Sequence, residues 1–221
     1  ISARIRLKFA RTGRVRFLSH LDFMSLFQRA ASRARVPLAF SQGFNPHPKI
    51  AFGPALPVGM ESEAEYLDME TDPFLDLLET VKGLNRALPE GIRVLEARVV
   101  PKKAPSLSGS ITRHVYEVRI PREHAERVEE RARDFLERDK VLVLRDGKQK
   151  DIKPGIESIN RKDAVALTVI LRDSEQLRPR VQDVIEQFFG IARDQALLVP
   201  VTRVSQEWND RGTWRSPMDS A

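Results

Sequence analysis

The segment Arg4-Ile5-Arg6-Leu7-Lys8-Phe9 alternates strictly between a basic and an apolar residue. Successive side chains of a β-strand point to opposite faces of a sheet, so this pattern predicts a half-buried strand. Its apolar side chains would face a hydrophobic core, and Arg4, Arg6 and Lys8 would lie on the opposite face. The elements predicted after this strand decide the fold class.

A helix is predicted to follow the strand. Ser19 is a suitable N-cap residue, and Asp22 three positions later resembles a capping box with a shorter acid. The helix would run to about Arg35, because Pro37 cannot continue it. Its apolar stripe is predicted to contain Leu21 or Met24, Phe27, Ala30 or Ala31, and Ala34.

The next residues predict further strands and a second helix. The strands are expected at 37–41, at 49–56 continuing in 63–70, and at 92–100. The pair Asp72-Pro73 predicts the start of the helix, which would run to about Leu88. Its inner face would carry Phe74, Leu77, Leu78, Val81 and Leu84. The resulting order β-α-β-β-α-β is that of ferredoxin-like domains.

The same order recurs after residues 101–112, a segment rich in Pro, Ser and Lys that is predicted to be a linker. Strands are expected at 114–120, 141–145, 164–171 and 199–207, with 151–159 pairing before the third, and helices at 122–138 and 179–189. We therefore predict an α+β fold of tandem ferredoxin-like (β-α-β-β-α-β) halves, residues 1–100 and 113–207. Their antiparallel sheets would carry the helices on one face, and residues 208–221 would form a loose tail.

The composition excludes several classes of site. It has 41% hydrophobic and 31% charged residues, as in ordinary soluble globular proteins. The chain has no cysteine, so disulfides, thiolate zinc sites and Cys-ligated iron–sulfur clusters are excluded. No HExxH, His-x₃-His, P-loop, GxGxxG or GxSxG motif is present, and we predict no metal site and no cofactor in this chain. No apolar run approaches the ~20 residues that cross a bilayer, so we predict no membrane partner. With no cysteine, a cytoplasmic setting is the default prediction.

The charge is distributed unevenly along the chain. The net charge of +6 combines +9 in residues 1–60 with −3 in residues 61–221. A basic block of this kind favours a polyanionic partner, with nucleic acid first and an acidic protein or membrane surface behind it. A solvated basic face is the alternative.

The first predicted strand and helix would supply the phosphate contacts. In a ferredoxin-like sheet both helices cover one face, so the basic side chains of the strand would line the open face. A role in preventing edge aggregation is the alternative. The free N–H groups at the start of the following helix also favour an anion. The predicted contacts are Arg4, Arg6, Lys8, Arg11, Arg14, Arg16, Ser19 and His20.

A second group of candidates lies in the loop Ser41-Gln42-Gly43-Phe44-Asn45-Pro46-His47-Pro48-Lys49. Gly, Asn and Pro interrupt any helix or central strand, and the two prolines stiffen the backbone around His47. Phe44 could stack on a base of single-stranded RNA. A rigid connector between strands is the alternative. The predicted RNA contacts here are Gln42, Gly43, Phe44, Asn45, His47 and Lys49.

Three strings of the sequence resemble one known family. They are Phe17-Leu18-Ser19-His20-Leu21-Asp22, Phe40 to Ile50, and Leu56-Pro57-Val58-Gly59-Met60-Glu61-Ser62. They are similar to the radical SAM-linked protein family, a bacterial domain of unknown function fused to, or encoded beside, a cobalamin-binding radical SAM protein. The turn Arg145-Asp146-Gly147-Lys148 and the segment Asp151-Ile152-Lys153-Pro154 also resemble this family.

The resemblance covers most of the chain and implies a cobalamin-binding radical SAM protein as partner. The cluster-binding CxxxCxxC signature cannot be present without cysteine. The partner would therefore perform any radical chemistry, and this chain would assist it.

Three functions follow as hypotheses. The first is a non-catalytic accessory module that binds RNA or presents a substrate to the radical SAM enzyme. The second is a metal-independent ribonuclease in which His20 or His47 deprotonates a 2′-hydroxyl. Its predicted architecture resembles the CRISPR repeat-processing endoribonucleases, but their C-terminal glycine-rich loop has only Gly190 and Gly212 as counterparts. The third is a docking domain that binds only the protein partner.

Overall fold

The computed structural model of the protein describes residues 2–73 and 75–219. Phe74, predicted on the inner face of the second helix, lies outside them, as do the last two residues of the predicted tail. The chain divides into two compact units, residues 1–111 with 206–221 and residues 112–205. Both contain helices and mostly antiparallel strands, which confirms the predicted α+β class.

Before residue 111, the described part of the first unit contains four strands and two longer helices in the order β-α-β-β-α-β, followed by one short helix. In chain order its elements are β1 (Ala3–Arg11), α1 (His20–Arg33), β2 (Ile50–Phe52), β3 (Glu61–Thr71), α2 (Leu77–Ala87), β4 (Ile92–Val100) and α3 (Leu107–Ser110). The strands pair antiparallel in the order β4-β1-β3-β2. This order is consistent with a ferredoxin-like half.

The second unit repeats this arrangement with an inserted hairpin and an additional short helix. Its elements are β5 (Ile111–Arg119), α4 (Val128–Leu136), β6 (Leu142–Arg145), β7 (Lys148–Asp151), β8 (Ile156–Arg161), β9 (Ala166–Arg172), α5 (Val181–Phe189), α6 (Arg193–Leu198) and β10 (Val201–Asp210). The sheet has the order β10-β5-β9-β8, and β6 and β7 form a separate hairpin. Residues 206–210 of β10 belong to the first unit, as does β11 (Thr213–Arg215).

Burial confirms the predicted apolar face of β1. Ile5, Leu7 and Phe9 are buried in one hydrophobic cluster with α1. The rings of Phe9 and Phe23 stack with their centroids 5.3 Å apart. The predicted helix stripe is wrong at its start, because Phe23 is buried while Leu21 is 73% exposed.

Several predicted elements are wrong in their bounds. Residues 37–41 form isolated bridges at Leu38 and Phe40 and no strand. The second helix begins at Leu77, because Asp76 caps it by accepting a hydrogen bond from the backbone N–H of Glu79 at 2.9 Å. The predicted helix 122–138 is interrupted at Arg127, whose φ of 59° is left-handed, so the continuous helix starts only at Val128.

The face of β1 and β3 that points away from α1 and α2 is covered. Leu107 of the predicted linker and Met218 of the predicted tail are buried there with Ala64, Tyr66 and Ile111. The linker and tail predictions therefore missed packed segments. A ferredoxin-like half was expected to leave this face open, and here the chain supplies its own cover.

Candidate functional site

Arg4 and Arg6, predicted as phosphate contacts, share one carboxylate in the structure. Asp68 on β3 accepts from Arg4 at 2.6 Å and 3.1 Å, and from Arg6 at 2.8 Å and 3.0 Å. Asp68 is 2% and Arg6 3% exposed. Charge-assisted, forked hydrogen bonds of this kind are the strong ones, and they hold β1 to β3.

Backbone carbonyl groups take up further donors of the same arginines. Arg4 Nη1 donates to the carbonyl oxygens of Lys102 at 3.1 Å and Ala104 at 2.8 Å. Arg6 Nη1 donates to the carbonyl oxygen of Pro217 at 3.0 Å. The expectation of an open basic face is wrong at these two residues, because residues 101–106 and 216–219 lie over it. Phosphate contact by them stays a prediction.

The remaining predicted cations have different environments. Arg11 is buried; it donates to the carbonyl oxygen of Val15 at 3.1 Å and lies 5.2 Å from the ring centroid of Phe23. Arg16 pairs with Glu61 at 3.1 Å on the surface. Arg14 is exposed and Lys8 is half-buried. Arg14 and Lys8 therefore remain the more accessible cations of this group.

The start of α1 has the predicted cap. Ser19 Oγ accepts from the backbone N–H of Asp22 at 3.1 Å and donates to the Asp22 carboxylate at 2.6 Å. The Asp22 carboxylate thus already provides negative charge at this helix N-terminus. The exposed His20 has its ring 5.8 Å from that of Phe52 on β2.

The loop 41–49 is closed at its neck by Ser41 and His47. The backbone N–H of Ser41 donates to the carbonyl oxygen of His47 at 2.9 Å, and Ser41 Oγ accepts from the backbone N–H of His47 at 3.1 Å. His47 Nδ1 lies 3.1 Å from Ser41 Oγ and 3.2 Å from the carbonyl oxygen of Asn45. The residues between, Gln42 to Pro46, are exposed, and Phe44 is fully so.

A surface cavity of about 210 Å³ connects this loop with β1. Its lining includes His47 and Lys49 from the loop, Arg4 from β1, and Asp68 and Glu70 from β3. Lys49 Nζ pairs with Glu70 at 2.9 Å. The structure therefore brings His47, Lys49 and Arg4 together, with a carboxylate beside each of the two cations.

The two histidines of the ribonuclease hypothesis line separate cavities. His20 borders a small one of about 10 Å³ with Arg11, Glu65 and Tyr66. Burial raises the pKa of Tyr66 above its usual value, against a lowering by its hydrogen bond with Ser216. Across residues 2–73 and 75–219, no cluster of three or more His, Asp or Glu side chains could hold a metal ion.

Two residues of this region were not predicted from the sequence: Asp68, and Arg98 of β4, whose Nη1 donates to the carbonyl oxygen of Met218. A signal for Asp68 was available in the charge pattern. Residues 61–72 contain six acidic and no basic residues, directly after a block with the opposite charge. Opposite blocks on neighbouring antiparallel strands predict cross-strand pairs, which is how β1 and β3 interact. No comparable pattern marked Arg98, an exposed residue of β4.

The second unit has a larger cavity, of about 630 Å³, between β7 and the residues from the end of β9 onward. Lys150, Asp151, Arg172 and Asp173 contribute to its lining. None of the predicted contact residues lies in it. The nearby turn at 145–148 has a structural arginine: Arg145 Nε donates to the buried Asp183 of α5 at 2.8 Å.

Comparisons with known proteins give a family and no activity. The crystal structure of an unknown protein from Galdieria sulphuraria is 12% identical, with 95% of this chain and 100% of that chain covered and a TM-score of 0.29. No curated protein matches. None of the described helices is both long and apolar enough to cross a bilayer.

A family model described as "Uncharacterized protein conserved in bacteria" (DUF2344) matches residues 4–179. The match takes in all of the strings singled out above, from Phe17 to Pro154. The chain belongs to this uncharacterized bacterial family, DUF2344.

Proposed function

We propose that this chain is a non-catalytic accessory module of a cytoplasmic, cobalamin-binding radical SAM enzyme, and that it binds RNA or presents a substrate to that enzyme. The proposed RNA binding is based on the structure of the loop 41–49. Its fully exposed Phe44 extends from a neck that Ser41 and His47 close by hydrogen bonds.

An aromatic side chain in this position suits base stacking. Every base has a π-face, so stacking tolerates any sequence, and single-stranded RNA is generally bound in this way. Exposure of a whole phenyl ring to water is unfavourable, and a stacked base would cover it. The closed neck limits the conformations of the loop, so less entropy is lost when a base binds.

Exposed cations of the first unit also support RNA binding. Arg14, Arg29 and Arg35 are exposed. Within residues 2–73 and 75–219 no acidic group lies within ion-pair distance of any of these three. Unneutralised arginines attract phosphate groups and make the binding salt-dependent. They are better candidates for long-range attraction than Arg4 and Arg6, whose charge Asp68 balances in part.

The partner part of the proposal is supported by the sequence strings and by one surface. The backbone N–H of Gly59 donates to the carbonyl oxygen of Arg16 at 2.9 Å, which brings the first and third strings together. They present Phe17, Leu21 and Val58, which are 60%, 73% and 54% exposed. We infer that these three side chains contribute to a contact surface for the partner, since exposed apolar patches are typical of protein–protein contacts.

The test is fluorescence anisotropy with single-stranded RNA, structured RNA and duplex DNA over a salt series. Phe44→Ala should weaken single-stranded RNA binding by about 5–150-fold, the equivalent of one stacked base. Phe17→Ala is the matched control: it removes another exposed phenyl ring and should leave RNA affinity unchanged. Phe17→Ala should reduce co-purification with the radical SAM protein, and Phe44→Ala should leave it unchanged.

Two outcomes would contradict the RNA part. If no RNA binds at low salt, the chain is a protein-only docking domain. If RNA is cleaved in EDTA and His20→Ala or His47→Ala stops the cleavage, the chain is a ribonuclease and not an accessory module.

A further inference from the structure

Two arginines of neighbouring strands lie directly opposite each other on the covered sheet face. Arg6 of β1 and Arg98 of β4 are Cα partners in the antiparallel register. Like charges at such positions destabilise a sheet. Asp68 bonds Arg6 from β3, on the other side of β1. Arg98 forms no ion pair in the part of the chain that the structure describes.

Carbonyl groups of residues 216–219 bridge this arginine pair. Arg6 Nη1 donates to the carbonyl oxygen of Pro217 at 3.0 Å, and Arg98 Nη1 donates to that of Met218. The side chain of Met218 is buried against Tyr66 and keeps the segment in place. Carbonyl oxygens accept the hydrogen bonds but carry no net charge, so they do not neutralise two guanidinium groups as a phosphate would.

We propose that Arg6, Arg98 and Lys8 form a binding site for the phosphates of single-stranded RNA, and that residues 216–219 occupy this site as an intramolecular competitor. The inference rests on the proposed RNA binding; it adds where the RNA backbone is held and how access is controlled. Loss of the segment would remove the carbonyl partners of Pro217 and Met218 from the two guanidinium groups, while Asp68 and the carbonyl oxygen of Pro105 would still accept from Arg6.

The spacing of the cations fits a nucleic-acid strand. Residues two apart in a strand lie on the same face about 6.6 Å from each other. Arg6 and the half-buried Lys8 have this relation, which is close to the separation of neighbouring phosphates in an extended single strand. Arg98 is exposed at β4 and gives a phosphate access to the pair from the surface.

The experiment compares the chain with Met218→Ser, which weakens the anchor of the segment. The probe is a fluorescein-labelled oligouridylate of about ten nucleotides, within the range of single-strand site sizes. When a binding-competent state is only fractionally populated, the apparent affinity is reduced by that fraction. Opening the segment should therefore raise RNA affinity about tenfold or more, and Arg98→Glu in the same chain should abolish the gain.

Met60→Ser is the matched control, since Met60 is equally buried in the first unit but does not belong to the cluster around Met218. It should give no gain. Hydrogen exchange of the unmodified chain provides a second readout if Met218→Ser fails to fold. The backbone N–H of Asp219 donates to the carbonyl oxygen of Ser216 at 2.9 Å, and saturating RNA should speed its exchange.

The proposal is overturned if a folded Met218→Ser chain has unchanged RNA affinity, or if Met60→Ser gains as much affinity. It is also overturned if the gain persists with Arg98→Glu, or if saturating RNA leaves the hydrogen exchange of the Asp219 amide unchanged. Failure of this site and failure of RNA binding by the loop 41–49 give different results. If Phe44→Ala has no effect but Met218→Ser gains affinity, the loop has no role and this site stands. If Phe44 matters and Met218→Ser does not, only this site is wrong.

Discussion

Replacing Asp68 with Asn should destabilise the first unit severely. The carboxylate is 2% exposed and accepts four hydrogen bonds of 2.6–3.1 Å from Arg4 and Arg6. An amide has one oxygen and no charge, so Asp68→Asn leaves two guanidinium groups, one of them fully buried, without their counter-ion. Removing one partner of a buried ion pair costs about 3–5 kcal/mol.

The chain contains a matched control on the same strand. Glu70 pairs with Lys49 at 2.9 Å, but their side chains are 34% and 43% exposed. Exposed pairs contribute about 0–1 kcal/mol, so Glu70→Gln should change the stability of the first unit very little. The two substitutions make the same chemical change two residues apart, and they differ in burial.

Urea unfolding followed by tryptophan fluorescence is the assay. Both tryptophans, Trp208 and Trp214, belong to the first unit, so the signal reports on it without the second unit. With a typical m-value of 1–3 kcal/mol/M, a cost of about 3–5 kcal/mol should lower the midpoint of Asp68→Asn by about 1–5 M. If Asp68→Asn shifts the midpoint no more than Glu70→Gln, the arginines are not held by this carboxylate and the description of the covered face is wrong.

Three further substitutions test other parts of the structure. At Gly91, with φ of 91°, an added Cβ would overlap the carbonyl oxygen of Thr12, whereas at Gly147, with φ of 74°, it would meet no atom within 4 Å. Gly91→Ala should therefore cost clearly more in thermal unfolding than Gly147→Ala, for which about 1 kcal/mol is expected; equal costs would contradict the close approach. The folded state raises the pKa of Tyr66 above 10.0, chiefly through burial, so the folded chain keeps a proton that the unfolded chain loses. Stability should be intact below pH 10 and fall above it, with a shallower fall in Tyr66→Phe, measured by tryptophan-detected urea unfolding across this range. Arg145→Gln removes the ion pair between the β6–β7 hairpin and the buried aspartate of α5, and limited proteolysis should then cut the hairpin first; an unchanged cleavage pattern would show that the pair does not hold it.

Local patterns were sufficient to predict many elements. The strand at 4–9 and the burial of Ile5, Leu7 and Phe9 are both found, although Arg6 on the opposite face is buried as well, and β4 has the predicted bounds of 92 and 100. Ser19 caps α1 as its side-chain chemistry requires, and Gly190, with φ of 66°, ends α5. These features depend on residues a few positions apart, which a single sequence displays directly.

The environment of the basic face could not be predicted in the same way. Alternation determines which side chains share a face, but not which distant segment lies over it. Arg6 is bonded to Pro217, 211 positions later, and Arg4 to Lys102, 98 positions later. Such contacts depend on the tertiary packing of short segments, which the sequence predicted only as a linker rich in Pro, Ser and Lys and as a loose tail.

The division of the chain also has a consequence for its synthesis. A ribosome produces residues 1–111 first, then all of 112–205, and only then residues 206–219, which complete the first unit. At bacterial rates the interval lasts roughly 5–20 s. During it the nascent protein carries Tyr66, Leu107 and the arginines of β1 without Met218 above them. Residues 112–205 can therefore fold to completion before the first unit does, because residues 206–219 are synthesised after them.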